Sequence, residues 1–235
     1  FGQMGEIRTL GRLCVAAARL AADEQDASDA AQWYADMVRL GHAASRGGLL
    51  LDCWTGIAIE AMAFRGLAEL RSELTTNQCR ELITQLDAVD RERKSLEAVF
   101  EHEAIWRQWA IPLEQRMVLG ISGWGRSQIQ SAHQQAEQAD DRAQTRLRLL
   151  MLTLAVQVYH GEQGRYPDDL AELVPAYVPR PLTDPYNGEP FRYRRDADGC
   201  VVYSVGPNGK DDGGDPVDPQ ADWETARGDI LIPEQ

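Results

Sequence analysis

Proline is nearly excluded from the first two thirds of this chain and common in the last third: of 11 prolines, only Pro112 precedes residue 160. Proline removes a backbone donor and clashes with the preceding helical turn. Its absence leaves long stretches free to be helical, and its return forces turns and short extended segments. The expectation is an α+β protein, with a helical bundle first and a long helix packed on a small three-stranded antiparallel sheet after it.

Apolar spacing divides the helical part. Ile7, Leu10, Cys14, Ala17 and Ala21 recur at helical intervals, and Ser28 is placed to cap a second helix carrying Trp33, Met37, Leu40 and Ala44 on one face. Gly47 and Gly48 stop it. The segment from Leu49 to Leu74 is apolar on most sides, which predicts the most buried helix. Thr75 with Gln78 three residues on has the form of a capping box for a fourth helix, and a fifth runs through Leu96 and Val99 toward Pro112. Gly120, Gly123 and Gly125 interrupt the pattern and place a boundary, giving a helical domain over 1–125 and a second domain over 126–235. A long helix is predicted there over Gln128 to His160, ended by Gly161 and Gly164. Short β-type segments follow at 190–195, 200–205 and 229–232, the first two joined by a turn at Asp196-Ala197-Asp198-Gly199.

The densest chemistry lies between the last two of these segments. Tyr203-Ser204-Val205-Gly206-Pro207-Asn208-Gly209-Lys210-Asp211-Asp212-Gly213-Gly214-Asp215 crowds oxygen donors onto backbone that glycine lets bend tightly. Oxygen-only donor sets suit hard cations such as calcium. The bland alternative is a solvated acidic turn in which Asp and Gly serve only backbone geometry. The net charge of −13 argues against nucleic acid, which needs clustered Lys and Arg.

The order of these segments resembles the major pseudopilin of type II secretion systems, over roughly residues 140–235. In that family a long helix is followed by a Gly-x-Tyr-Pro turn, matched by Gly164-Arg165-Tyr166-Pro167. A short helix matches Asp168 to Leu173, and an Asp-Pro-x-Gly-x-Pro-x-x-Tyr segment matches Asp184 to Tyr193 with one extra residue. The strand and turn Tyr203-Ser204-Val205-Gly206-Pro207-Asn208-Gly209 comes next, and Asp229-Ile230 closes the pattern. The resemblance implies a helical spine on a three-stranded sheet and a calcium-binding last loop. Its implied ligands are the carbonyls of Val205 and Lys210, the side chain of Asn208 and the carboxylate of Asp229. Asp211 and Asp212, with Asp215 next, are candidates to complete the shell. Asn208 stands where the family usually has Asp, and the loop from Lys210 to Asp229 is longer here.

The first half departs from that family. A fibre subunit needs a continuous apolar N-terminal helix, and here Arg8 and Arg12 interrupt any such run. The expectation is a non-enzymatic, extracytoplasmic structural or interaction protein, not a fibre subunit, with an unidentified protein partner. The longest apolar stretch, near Leu149 to Val158, is too polar to span a bilayer, so membrane attachment is expected only through a segment outside this chain. The chain begins at Phe1, which reads as processed or trimmed. Two alternatives remain. One is a small-molecule or peptide binder, or an enzyme, with a Trp-lined pocket at 50–110; the other is an accessory component of a secretion or pilus-like system.

Catalytic motifs are weak. Glu101-His102-Glu103 lacks the second histidine of a zinc-protease helix, and Ser122 lacks the spacing and preceding strand of a nucleophile elbow. Core packing is the expectation for most of Trp33, Trp54, Trp106, Trp109 and Trp124. The four cysteines form no CxxC pair and read as buried thiols, with a Cys53–Cys79 disulfide possible in an oxidising compartment. Glu60, alone on the most apolar helix, requires a partner if buried, with Arg65 or Arg19 within reach.

Overall fold

Among the described residues, helices account for nearly all of the proline-poor region. The computed structural model describes residues 2–46, 48–93, 95–110, 123–195, 199–216 and 228–232. Helix α1 spans Gly2–Asp23, α2 Ala27–Arg46, α3 Leu50–Leu70, α4 Thr76–Glu92, α5 Glu97–Ala110 and α6 Gly123–Gln163. Pro112, Gly120 and Ser122 lie outside the described residues, as does the turn at Asp196-Ala197-Asp198.

Local chemistry sets the helix ends. Thr75 and Gln78 form the expected capping box: Gln78 Oε1 accepts from the Thr75 amide at 2.8 Å and the Gln78 amide donates to Thr75 Oγ1 at 3.4 Å. At α2 the cap is Asp26, whose Oδ1 accepts from the Asp29 amide at 3.0 Å, and Ser28 falls inside the first turn. Helix α3 ends at Leu70 and passes into a 3-10 turn over Arg71–Glu73. Helix α6 continues through Gly161 and stops at Gly164, whose φ is +67° and whose amide donates to the His160 carbonyl at 2.9 Å.

Helices α1, α2 and α3 pack on one another, and α2 and α3 cross very closely. A Cβ added to Gly56 would lie 2.3 Å from the Gly41 carbonyl oxygen, and one added to Gly41 would lie 2.6 Å from the Gly56 oxygen. The obstacle on each side is backbone and cannot turn away as a side chain could. Gly56→Ala is therefore expected to force the helices apart and to cost about 1–3 kcal/mol, as overpacking does. Urea denaturation checks this; an unchanged midpoint would mean that the crossing is looser than described.

Helix α6 joins the halves. It packs on α3 and α4 along one part and on the sheet along another, and Leu147, Leu149, Leu150, Met151 and Leu154 on it are fully buried. Its 41 residues give a rod roughly 60 Å long. The sheet has the order β1-β2-β3, with β1 Arg192–Arg195, β2 Cys200–Ser204 and β3 Ile230–Leu231, both pairings antiparallel. One apolar core runs from α1 through α6 to Phe191, Val202 and Ile230. The short helix expected over Asp168 to Leu173 is a 3-10 turn over Leu170–Leu173 capped by Asp169.

Two buried ionic groups cross this core. Glu60 is fully buried, and its partner is Arg93, just beyond α4, with Nη2 2.6 Å from Oε2. Arg93 also pairs with Asp140 of α6, and His42 Nδ1 lies 3.9 Å from Glu60 Oε1. Neither Arg65 nor Arg19 fills that role. Farther along, buried Asp90 of α4 receives Arg148 of α6 at 2.9 Å and also Arg180, which reaches Asp87 at 3.1 Å. Arg148 Nη1 donates to the Thr183 carbonyl at 2.8 Å, so the cluster ties α4 and α6 to the segment before the sheet.

The tryptophan and cysteine expectations come out differently. Trp109 is 86% exposed and Trp106 48%, so they are not core residues, and Trp33 sits at the surface of α2. All four cysteines are free thiols; burial raises Cys53 to about 12 and Cys79 to about 11. On α1, Cys14, Ala18 and Ala21 face the core, whereas Leu10, Leu13 and Leu20 are exposed.

Candidate functional site

Strand β2 delivers the acidic loop from its buried end. Ser204 is fully buried, and its Oγ accepts from the Gly206 amide at 3.1 Å. The Val205 amide donates to Asp184 Oδ2 at 3.0 Å, while Asp184 Oδ1 accepts from the Tyr186 amide at 3.1 Å. Asp184, 1% exposed, therefore fastens the 184–188 turn to the start of the loop. In the sequence Asp184 is only the first residue of the Asp-Pro segment; a buried aspartate before proline gives no spacing signal for the strand that it caps.

The turn itself needs left-handed backbone at Gly206 and Gly209, with φ of +63° and +64°. Between them, Asn208 folds inward. Its Oδ1 accepts from the Lys210 amide at 2.9 Å, and its Nδ2 donates to Asp212 Oδ2 at 2.8 Å. That same carboxylate oxygen accepts from the Gly228 amide at 2.8 Å.

From the other side comes Asp229, 1% exposed. Its Oδ2 accepts from the Gly214 amide at 2.7 Å and its Oδ1 from the Asp212 amide at 3.4 Å, while its own amide donates to the Asp215 carbonyl at 2.6 Å. Asp212 and Asp229 thus clasp each other's strand of loop. Asp211 turns outward: its Oδ1 accepts from the Tyr203 hydroxyl and the Gly213 amide, each at 3.0 Å, and its Oδ2 lies 3.5 Å from Arg192 Nε.

Of the expected ligands, Asn208, Asp212 and Asp229 belong to one hydrogen-bonded chain and Asp211 adjoins it. Val205 and Lys210 contribute backbone at its two ends. Burial raises the Asp229 carboxyl above its ordinary range; the two amide bonds oppose this, and the charges of Asp211 and Asp212 add to it. Among the described residues no three His, Cys, Asp or Glu side chains converge closely enough to hold a metal by themselves. The carboxylates of Asp212 and Asp229 point to backbone amides, but each has lone pairs beyond those bonds. A cation here would rest on mixed carbonyl, amide and carboxylate oxygens, a chemistry that suits calcium. Asp218, Asp222 and Glu224 lie outside the described residues.

No protein-family model, curated protein or solved structure matches this chain. The reading of the loop therefore rests on its own geometry and on the resemblance in its sequence.

A second concavity, of about 640 Å³, lies between α5 and α6 and is lined by Arg107, Ile129, Gln130, His133, Gln134 and Glu137. His133 stacks on Phe100 with ring centroids 3.9 Å apart. Its pKa is lowered by burial and then by Arg107. No tryptophan is among those lining residues, so the cavity differs from the Trp-lined pocket expected at 50–110. Nearby, Glu103 Oε2 accepts from the Leu50 amide at 3.1 Å and holds α5 on the start of α3, while Glu101 and His102 are exposed. No described helix is long and apolar enough to cross a membrane.

Proposed function

We propose that this chain is a non-enzymatic, extracytoplasmic structural or interaction protein whose C-terminal loop binds calcium and is stiffened by it. One observation carries the reading. Asp229 is held almost fully buried beside the charges of Asp211 and Asp212, with Asn208 in the same hydrogen-bonded chain. Gathering like charges at a buried position is costly, and a bound cation offsets that cost. Asn208, Asp211, Asp212 and Asp229 would supply side-chain oxygens, and Val205 and Lys210 carbonyls. Calcium would contribute charge neutralisation and cross-linking, not chemistry on a substrate. The extracytoplasmic placement and a role beside a secretion or pilus-like assembly rest on the pseudopilin resemblance, with an unidentified protein as partner.

The test is a thermal melt in calcium and in chelator. At a hundredfold excess over Kd, a ligand of the native state adds about 2.7 kcal/mol. That is a shift of roughly 5–10 °C in Tm for a chain of this size. Asp211→Asn, at an outward-facing carboxylate, should reduce the shift without unfolding the loop, and Asp229→Asn should abolish it. Identical melts with and without calcium would exclude the metal.

The cavity between α5 and α6 supports a second reading, a binder of small polar molecules. Arg107, His133 and Glu137 bring three ionisable groups to its wall. Loss of ligand-induced stabilisation in Arg107→Met, in a screen of small polar metabolites, would favour it over the calcium reading.

A further inference from the structure

Helix α1 distributes its apolar residues in reverse. Among its described side chains the buried positions are Gly11, Cys14, Ala18 and Ala21, all of them small. A Cβ added to Gly11 would meet Ile59 of α3 at 3.3 Å, so this face lies close on the bundle and fixes how the helix is turned. All three leucines of α1 point away from the core: Leu10 is 47% exposed, Leu13 61% and Leu20 60%. A helix that only covered the bundle would turn its largest apolar residues inward.

The outward residues form one stripe. With half-buried Ala17, they recur at 10, 13, 17 and 20, intervals of 3, 4 and 3 residues that share one helix face. These intervals read the same in both directions about residue 15. A second copy of the helix laid antiparallel therefore sets Leu10 against Leu20 and Leu13 against Ala17, with the same pairs repeated on its other half. Such reciprocity is the requirement of a two-fold interface. Exposed Glu6 and Glu24 continue the spacing, four residues before Leu10 and four after Leu20. They bound the apolar stripe and set the register, because a slip of one heptad would press a glutamate onto Ala17 or Leu13. A lipid surface suits the stripe less well. Arg8, Arg12 and Arg19 lie on a separate column, about a quarter turn or more from the leucines, and the chain carries a net charge of −13.

We propose that α1 is a self-association surface, pairing antiparallel with α1 of a second copy about a two-fold axis near residue 15. The stripe is about three turns long. A contact of that size falls below the roughly 1,200 Å² at which standard interfaces begin, so the dimer is weak and reversible. The surface is separate from the acidic loop, and its failure would leave the calcium reading intact.

Sedimentation of the full chain over a range of concentrations tests this. A reversible monomer–dimer equilibrium is expected, with a Kd on the order of 10–100 µM. Leu13→Glu should raise that Kd by about tenfold or more, and Leu13→Ala, which adds no charge, by about fivefold. Neither should lower the melting temperature of the dilute chain, because the position is exposed. Cross-linking reads the register in a Cys200→Ser background, where the remaining thiols are buried. A mixture of Leu10→Cys and Leu20→Cys chains should join through a short bis-maleimide, and neither chain alone should, since the two positions lie about 15 Å apart along a helix. A monomer at every concentration up to about 1 mM, a Kd unmoved by both Leu13 variants, or equal cross-linking of either cysteine variant alone would overturn the proposal. Vesicle binding would overturn it too, if a chain that stays monomeric binds phosphatidylglycerol vesicles and Leu13→Glu abolishes this, which assigns the stripe to a lipid surface.

Discussion

Arg93→Met is expected to destabilise the chain by about 3–5 kcal/mol, the scale of removing one partner from a buried ion pair. Burial alone would lower the Arg93 pKa, but Glu60 and Asp140 together raise it, so the guanidinium is held charged between them. Without it, Glu60, fully buried and 2.6 Å from the lost nitrogen, loses the guanidinium that neutralises it. The sign of the effect depends on what is removed. In a triple variant, Arg93→Met with Glu60→Leu and Asp140→Leu, no charge is left stranded, and most of the loss should return. Urea denaturation of the wild type, the single and the triple variant decides it. A single variant within about 1 kcal/mol of wild type would show that water reaches the pair and screens it.

Asp90→Ala should have the next largest effect, about 3 kcal/mol or more, because it leaves two arginines without their shared carboxylate. Arg180 retains Asp87 at 3.1 Å and Arg148 retains the Thr183 carbonyl at 2.8 Å, which places this loss below that of Arg93. The location matters more than the magnitude. Asp90 belongs to α4, Arg148 to α6, and Arg180 and Thr183 to the segment that leads into the sheet. The variant should therefore loosen the attachment of that segment before it unfolds the bundle. Limited chymotrypsin digestion reads this directly, with faster cleavage after Tyr177 and Tyr186 expected under conditions where wild type resists. Equal cleavage rates would show that the apolar contacts of α6 suffice to hold the halves together.

The parts of this fold that were legible in the sequence are those decided within a few residues. The Thr75–Gln78 capping box, the apolar Leu50–Leu70 helix and the three short strands all follow from local spacing. Glu60 shows where locality fails. Its burial follows from the apolar helix around it, but Arg93 lies at the end of another element, and no periodicity links the two. The same holds for Gly41 and Gly56, which read as ordinary helix residues until the two backbones are seen to meet. In the acidic loop, composition identified the oxygen donors but not what they bind to. Asp229 accepts from the Asp212 amide and Asp212 from the Gly228 amide because the chain returns to β3 beside its own departure point, a matter of topology and not of spacing. Trp106 and Trp109 depart from the expectation of core packing for a simpler reason: α5 buries its first part, at Val99, so aromatic content there does not translate into core.

That mutual clasp of Asp212 and Asp229 also sets what the chain can tolerate in evolution or engineering. The bonds that link Asp212 with Gly228 and Asp229, and Gly214 with Asp229, close a neck at residues 212–216 and 228–229. The sheet therefore keeps its third strand through contacts made within the neck itself, and a substitution that opens residues 212–216 from 228–229 should release β3 from β2 while leaving the β1–β2 pairing in place.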